Sequence, residues 1–196
     1  MQILAAWNLI RRLTMAGLVL CLATGATAGE VVIDFEQVPI RLDPKNDELV
    51  NRLERYVEQE VEFRLARQPE RSKARGRIMF FPHIASGRKG ILNAMASEQQ
   101  IPVQVRFPKG ASAVTIVFWA STGASAKLEA FNRSGEVVAH DELKIVPGRK
   151  RPEDSVPTFE LKVKAGEISY VEFSGPRTGE YLVADEVRFT PLDAAP

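Results

Sequence analysis

The chain has 196 residues, and its 26 basic and 25 acidic residues nearly cancel, giving a formal net charge of +1. That balance sets up no strong field toward nucleic acid or an anionic membrane. The single cysteine, Cys21, excludes an internal disulfide, so stability must come from the core.

In chain order, residues 1–28 read first, as an export signal. Arg11 and Arg12 form a basic n-region, Leu13 to Leu22 an apolar h-region, and Ala26-Thr27-Ala28 an A-x-A cleavage site. The apolar run is too short to span a bilayer and no second one follows, so the expected product has no transmembrane anchor and begins near Gly29. The residues before Arg11-Arg12 lack the Ser or Thr of the twin-arginine route, and Leu20 stands before Cys21 where a lipid-modified cysteine wants a small residue. A start at Met15 would instead strip the basic n-region. Processing removes Trp7, Cys21 and both arginines, which leaves 24 basic residues against 25 acidic ones. The remaining chain suits one domain that buries roughly two-thirds of its unfolded surface. It is expected in a periplasm or outside the cell.

Short β-type runs then recur between turn residues. Val31 to Glu36 is the first. Asn46 to Gln59 differs: Leu49, Leu53, Tyr56 and Val57 fall at helical spacing with Asn46 as N-cap, which predicts one short amphipathic helix. Glu60 to Ala66, Arg77 to Phe81 and Ile101 to Phe107 return to strand composition, followed by Ala113 to Ala120, Lys127 to Asn132, Val137 to His140, Thr158 to Lys164, Ile168 to Phe173 and Tyr181 to Thr190. In Thr158 to Lys164, Phe159, Leu161 and Val163 alternate with Glu160, Lys162 and Lys164, the pattern of a half-buried strand. Asn132-Arg133-Ser134-Gly135 and Ala165-Gly166 are expected to be hairpin turns. Gln68 to Arg75 and Pro147 to Pro157 read as surface loops. About nine hairpin-linked strands with one helix predict an all-β fold, an antiparallel sandwich of two sheets in a single domain, 29–196.

Several stretches carry a family likeness: Ile33-Asp34-Phe35-Glu36, Gly90 to Ala96, Ala124 to Val138 with Leu128-Glu129-Ala130-Phe131, and Ala184-Asp185-Glu186-Val187-Arg188-Phe189. Together they resemble the galactose-binding-like jelly rolls of exported bacterial proteins, including those with a PEP-CTERM sorting tail, although the hydrophobic, basic-ended tail itself does not precede Pro196. The resemblance implies a jelly-roll β-sandwich with its first and last strands side by side. It also implies a structural calcium near those ends, and sugar binding through loops or one open sheet face.

The last strand adds its own argument. Counted by twos, Val183, Asp185, Val187 and Phe189 share a face, so Asp185 points with an apolar set and needs a partner. With terminal strands paired as the resemblance implies, Glu36, and after it Asp34, would join Asp185 as hard oxygen ligands of calcium. The competing reading gives Asp185 backbone N–H groups or an arginine. Trp119, the only tryptophan left after processing, is a sugar platform if it lies on a wet face and a core residue if both faces of its strand are covered. Arg67, Arg71, Lys73, Arg75 and Arg77, with Arg88 and Lys89, make the densest basic stretch, a contact for an anionic polysaccharide or lipid headgroup, or simply a solvated loop.

Enzyme motifs are weak. Ser86-Gly87-Arg88-Lys89 fits S-x-x-K without its companion motifs, and neither His83 nor His140 has a second ligand at metal spacing. Three readings follow: a non-catalytic binding module for envelope or extracellular carbohydrate, a structural or protein-interaction protein of the cell envelope, and a small secreted hydrolase. An exposed aromatic strip would favour the first, a flat apolar patch the second, and two carboxylates in a cleft the third.

Overall fold

The computed structural model describes residues 29–43, 48–69, 76–82, 88–93, 100–120, 125–144, 157–175 and 182–192. The export signal, Arg75, His83 and most of both expected loops lie outside the described residues. The described residues form twelve strands: β1 (Val31–Ile33), β2 (Arg41–Asp43), β3 (Glu48–Leu53), β4 (Arg55–Glu58), β5 (Val61–Leu65), β6 (Ile78–Pro82), β7 (Lys89–Asn93), β8 (Val103–Ala120), β9 (Ala126–Phe131), β10 (Val137–Leu143), β11 (Thr158–Ser174) and β12 (Leu182–Pro191). Every pairing between them is antiparallel. No described helix is long and apolar enough to cross a membrane.

The two long strands build the sandwich, because each contributes to both layers. The first half of β8 pairs with β5 and with the end of β11, while its second half pairs with the start of β11 and with β12. One layer therefore runs β4-β5-β8-β11-β9-β10. The other runs β11-β8-β12, with β1 and β7 on the far side of β12 and then β6, β3 and β2. The change of layer falls where the register between β8 and β11 shifts, around Lys164 and Ile168, and opposite it Gly110 takes φ +78°. A Cβ there would be strained and would press on Leu192.

The inner faces follow period-2 alternation. Val61, Phe63 and Leu65 of β5, Val103, Val105 and Phe107 of β8, and Leu161, Val163, Val171 and Phe173 of β11 all enter one buried cluster. Phe118 of the second layer meets Phe173 of the first edge-on at 5.2 Å. Phe35 closes the end of the core between Phe63 at 5.2 Å and Phe80 at 5.7 Å. It does so at φ +61°, uncommon for a bulky residue, and its burial among three aromatic rings holds it there.

Where the structure departs from expectation, pairing overrides local pattern. The helix expected over Asn46 to Gln59 is replaced by β3 and β4: Asn51, Arg52 and Leu53 pair with Phe80, Met79 and Ile78, and Arg55 to Glu58 pair with Arg64 to Val61. Val57, which the helical stripe placed inside, is 47% exposed. The β4–β5 turn is built by Gln59 and Glu60 at φ +48° and +65°, the left-handed pair of a tight hairpin without its usual glycine, so the turn leaves no sequence signal. Ala165-Gly166 is no hairpin; β11 runs straight through it. The Ile101 to Phe107 and Ala113 to Ala120 runs likewise fuse through Pro108-Lys109-Gly110 into β8. Asn132 to Gly135 is the expected turn, with Gly135 at φ +84° and Asn132 Oδ1 accepting from Glu136 N at 3.0 Å.

Candidate functional site

Residues that alternate out of the core on the first layer line up across its strands. Val57, Glu62, Arg106, Tyr170, Phe131 and Val137 are successive cross-strand partners from β4 to β10. The adjacent row is Arg55, Arg64, Gln104, Glu172, Glu129 and His140. Neighbours in such rows stand about 5 Å apart and interact directly.

In the first row, the rings of Tyr170 and Phe131 stack at 4.7 Å with 7° between their planes, both half-buried. The Arg106 guanidinium carbon lies 5.8 Å from the Tyr170 centroid, a cation–π contact. Glu62 faces Arg106 across the ladder, but its carboxylate is taken by Arg55 at 2.7 Å and Arg64 at 3.5 Å. Among the described residues Arg106 therefore has no carboxylate partner. Burial raises the Tyr170 pKa, with Glu172 adding to the shift and Arg106 opposing it, so the phenol stays neutral at physiological pH.

The second row is a relay of hydrogen bonds. Arg64 donates through Nε and Nη2 to Gln104 Oε1 at 3.2 and 3.1 Å, and buried Gln104 donates through Nε2 to Glu172 Oε1 at 2.9 Å. Burial raises the Glu172 pKa, the Gln104 hydrogen bond pulls it back, and the facing Glu129 pushes it up again. Lys127 holds Glu129 at 2.7 Å. At the bend end, a cleft of about 250 Å³ opens between Arg106, Tyr170, Ser169, Pro108 and Arg133. Arg133 rides on the β9–β10 turn. That turn is fixed by Asn132, Ser134 and Glu136, whose mutual hydrogen bonds lower the Glu136 pKa.

The residues singled out from sequence lie elsewhere. Trp119, 4% exposed, packs with Leu92 and Val183 on the outward side of the second layer. Asp185 sits at a β-bulge: Ala184 pairs with Phe118 and Glu186 with Val117, leaving Asp185 as the extra residue. The bulge breaks the count by twos, since Ala184 and Val187 both enter the main core while Val183 joins Trp119. Asp185, 2% exposed, and Glu186 are clasped by one arginine, Arg88, through Nη1 at 3.3 Å and Nη2 at 3.2 Å. Glu36 Oε1 accepts from Lys89 N at 3.0 Å, Lys89 Nζ donates to the Glu36 carbonyl, and Asp34 Oδ1 accepts from Glu36 N at 3.1 Å. A cation at Asp185 would thus share its carboxylate with a guanidinium. Among the described residues no three acidic, His or Cys side chains gather as a ligand group. Arg77 is exposed beside β6.

Glu62, Arg106, Tyr170 and Glu172 were not singled out from the sequence, and Phe131 only as part of the family likeness. Their signal is register between distant strands, which no single run carries.

No family model matches the chain, and no curated protein matches it. Several solved structures are similar in part. The adhesin domain of Lys-gingipain from Porphyromonas gingivalis shares 11% identity over 84% of this chain and 99% of its own, with a TM-score of 0.45. A carbohydrate-binding module of Clostridium stercorarium solved with cellobiose shares 15% over 64% of this chain and 92% of its own, at TM-score 0.35. The family 11 carbohydrate-binding module of a cellulosomal cellulase of Clostridium thermocellum shares 12% over 84% of this chain and 96% of its own, at TM-score 0.34. Likeness at this level bears on neither ligand nor activity.

Proposed function

We propose that the chain is an exported, non-catalytic carbohydrate-binding module that engages its ligand across the open face of the first layer. The supporting observation is the cross-strand row in which the stacked Tyr170–Phe131 pair lies between Arg106 and exposed Val137. Sugar rings offer C–H surface to an apolar strip and hydroxyls to fixed polar groups, and this face sets Tyr170 and Phe131 next to the row of Gln104, Glu172 and Glu129. The rigid sheet beneath needs no reordering on binding, which favours affinity. The test is a glycan and polysaccharide panel read with the wild-type chain, Tyr170→Ala and Phe131→Ala. The expected result is binding to at least one glycan class, weakened tenfold or more by Tyr170→Ala. Binding that survives both substitutions, or no binding across the panel, overturns the reading.

A second reading, a protein-interaction role in the envelope, is favoured by Val137 and Val138, 52% and 39% exposed on the edge strand β10. Pull-down of an envelope protein that Val138→Lys releases would support it.

A further inference from the structure

We infer that the cleft at the bend end of this face selects an acidic sugar, whose anionic group is received by Arg106 and Arg133 while its ring lies against Tyr170. The inference rests on the sheet-face reading and adds a ligand class to it. Three observations carry it. Arg106 is exposed, and its facing carboxylate, Glu62, is already committed to Arg55 and Arg64. Its charge is held over Tyr170 by the cation–π contact, which fixes where the guanidinium stands without using up its N–H donors. Arg133, which lines the same cleft, has Glu167 at 3.5 Å as its ion-pair partner among the described residues, and the two side chains are 82% and 45% exposed. Such an exposed pair is worth about 0–1 kcal/mol, so an anion can take Arg133 over with little loss.

The remaining lining suits a single ring with hydroxyls. Ser169 supplies a polar contact, Pro108 and Phe107 line the apolar side, and the Glu62 carboxylate that also lines the cleft is held by Arg55 and Arg64. A volume of about 250 Å³ is below the range of drug-sized pockets, which fits one monosaccharide of a longer chain running out along the row. A guanidinium binds a carboxylate or a sulfate ester through the same planar donor fork, so either group would serve.

Affinity electrophoresis of the full chain tests this with polygalacturonate, its methyl-esterified form, dextran sulfate and dextran, alongside Arg106→Gln, Arg133→Gln, Tyr170→Phe and Tyr170→Ala. Retardation by polygalacturonate is expected, with at least tenfold weaker retention on the methyl ester and in Arg106→Gln, a smaller loss in Arg133→Gln, and near-normal retention in Tyr170→Phe. Retention on dextran sulfate that Arg106→Gln also weakens would name the sulfate ester as an alternative source of the anion. Equal retention on the esterified polymer, Arg106→Gln within twofold of wild type, or no retention on either anionic polymer overturns the inference. If uncharged polymers are bound and Tyr170→Ala abolishes that binding, the sheet-face reading stands while the acidic preference falls. If binding ignores both Arg106 and Tyr170, both fall. Tyr170→Phe keeps the ring in place, so loss of fold in Tyr170→Ala does not leave the result undecided.

Discussion

The arginine clasp on the Asp185 bulge can be opened by Arg88→Met, which keeps an extended side chain and removes its charge. Arg88 Nη1 stands 3.3 Å from the Asp185 carboxylate, and the arginine side chain is 43% exposed while that of the aspartate is 3% exposed. At that separation, with an effective dielectric of ~20, the Coulomb attraction is about 5 kcal/mol. Water around the half-exposed guanidinium screens roughly half of it. Removing one member of a fully buried pair costs about 3–5 kcal/mol, so the expected loss here is about 2–3 kcal/mol. For a domain of this size that lowers Tm by roughly 5–10 °C. Urea denaturation at neutral pH would read it as a lower midpoint at unchanged slope. Asp185→Asn in the same chain leaves no stranded charge, so a double-mutant cycle should give a coupling of about 2 kcal/mol. Exchanging calcium for EDTA should leave the wild-type Tm unchanged, because the carboxylate already has its cation. A loss under about 0.5 kcal/mol with no coupling would refute the clasp, and a calcium-dependent Tm would show that the carboxylates leave Arg88 for a dication.

Glu172 carries a raised pKa through burial, so above the ordinary carboxylate range the folded chain holds a proton that the unfolded chain has released, and stability falls as pH rises through that window. Glu172→Gln keeps the acceptor for Gln104 without the charge; it should be more stable than wild type at neutral pH and no more stable in acid, read by thermal melts at both. Glu160 has the opposite sign: its pKa is lowered first by Lys162 and also by Arg188, so its contribution is lost as pH falls through the lowered value, and Glu160→Gln should flatten the acid limb of the stability profile. Phe118→Ala removes a fully buried ring that bridges the layers against Phe173 and Phe159, and should cost about 3–5 kcal/mol by urea denaturation. Gly110→Ala forces a left-handed alanine against Leu192 at the bend and should cost about 1–2 kcal/mol by the same assay.

The β-rich class was legible because alternation is a local property. Phe159, Leu161 and Val163 against Glu160, Lys162 and Lys164 is a pattern that only a half-buried strand explains, and it is the observed burial of β11. Features set by pairing were not legible. Leu49, Leu53 and Tyr56 satisfy a helical period equally well, and only their partners on β2, β5 and β6 decide for strands. The Asp185 bulge hides for a related reason: one extra residue inverts every side chain beyond it, and the inversion is visible only opposite Phe118 and Val117. The sheet-face row joins residues from β4 to β10 that no short motif could contain.

The antiparallel pairing of β1 with β12, Val31 opposite Phe189 and Ile33 opposite Val187, puts residues 29 and 192 at the same end of one ladder. If the module is tethered on both sides and stretched, force falls first on the outermost backbone hydrogen bond of that ladder and then on the next, as a zip opens, instead of shearing all of them at once. With only three paired residues, β1 should peel away at low load while β8 and β11, joined along their lengths, keep the first layer intact. A pulled molecule would then lengthen by a short first step before the domain as a whole gives way.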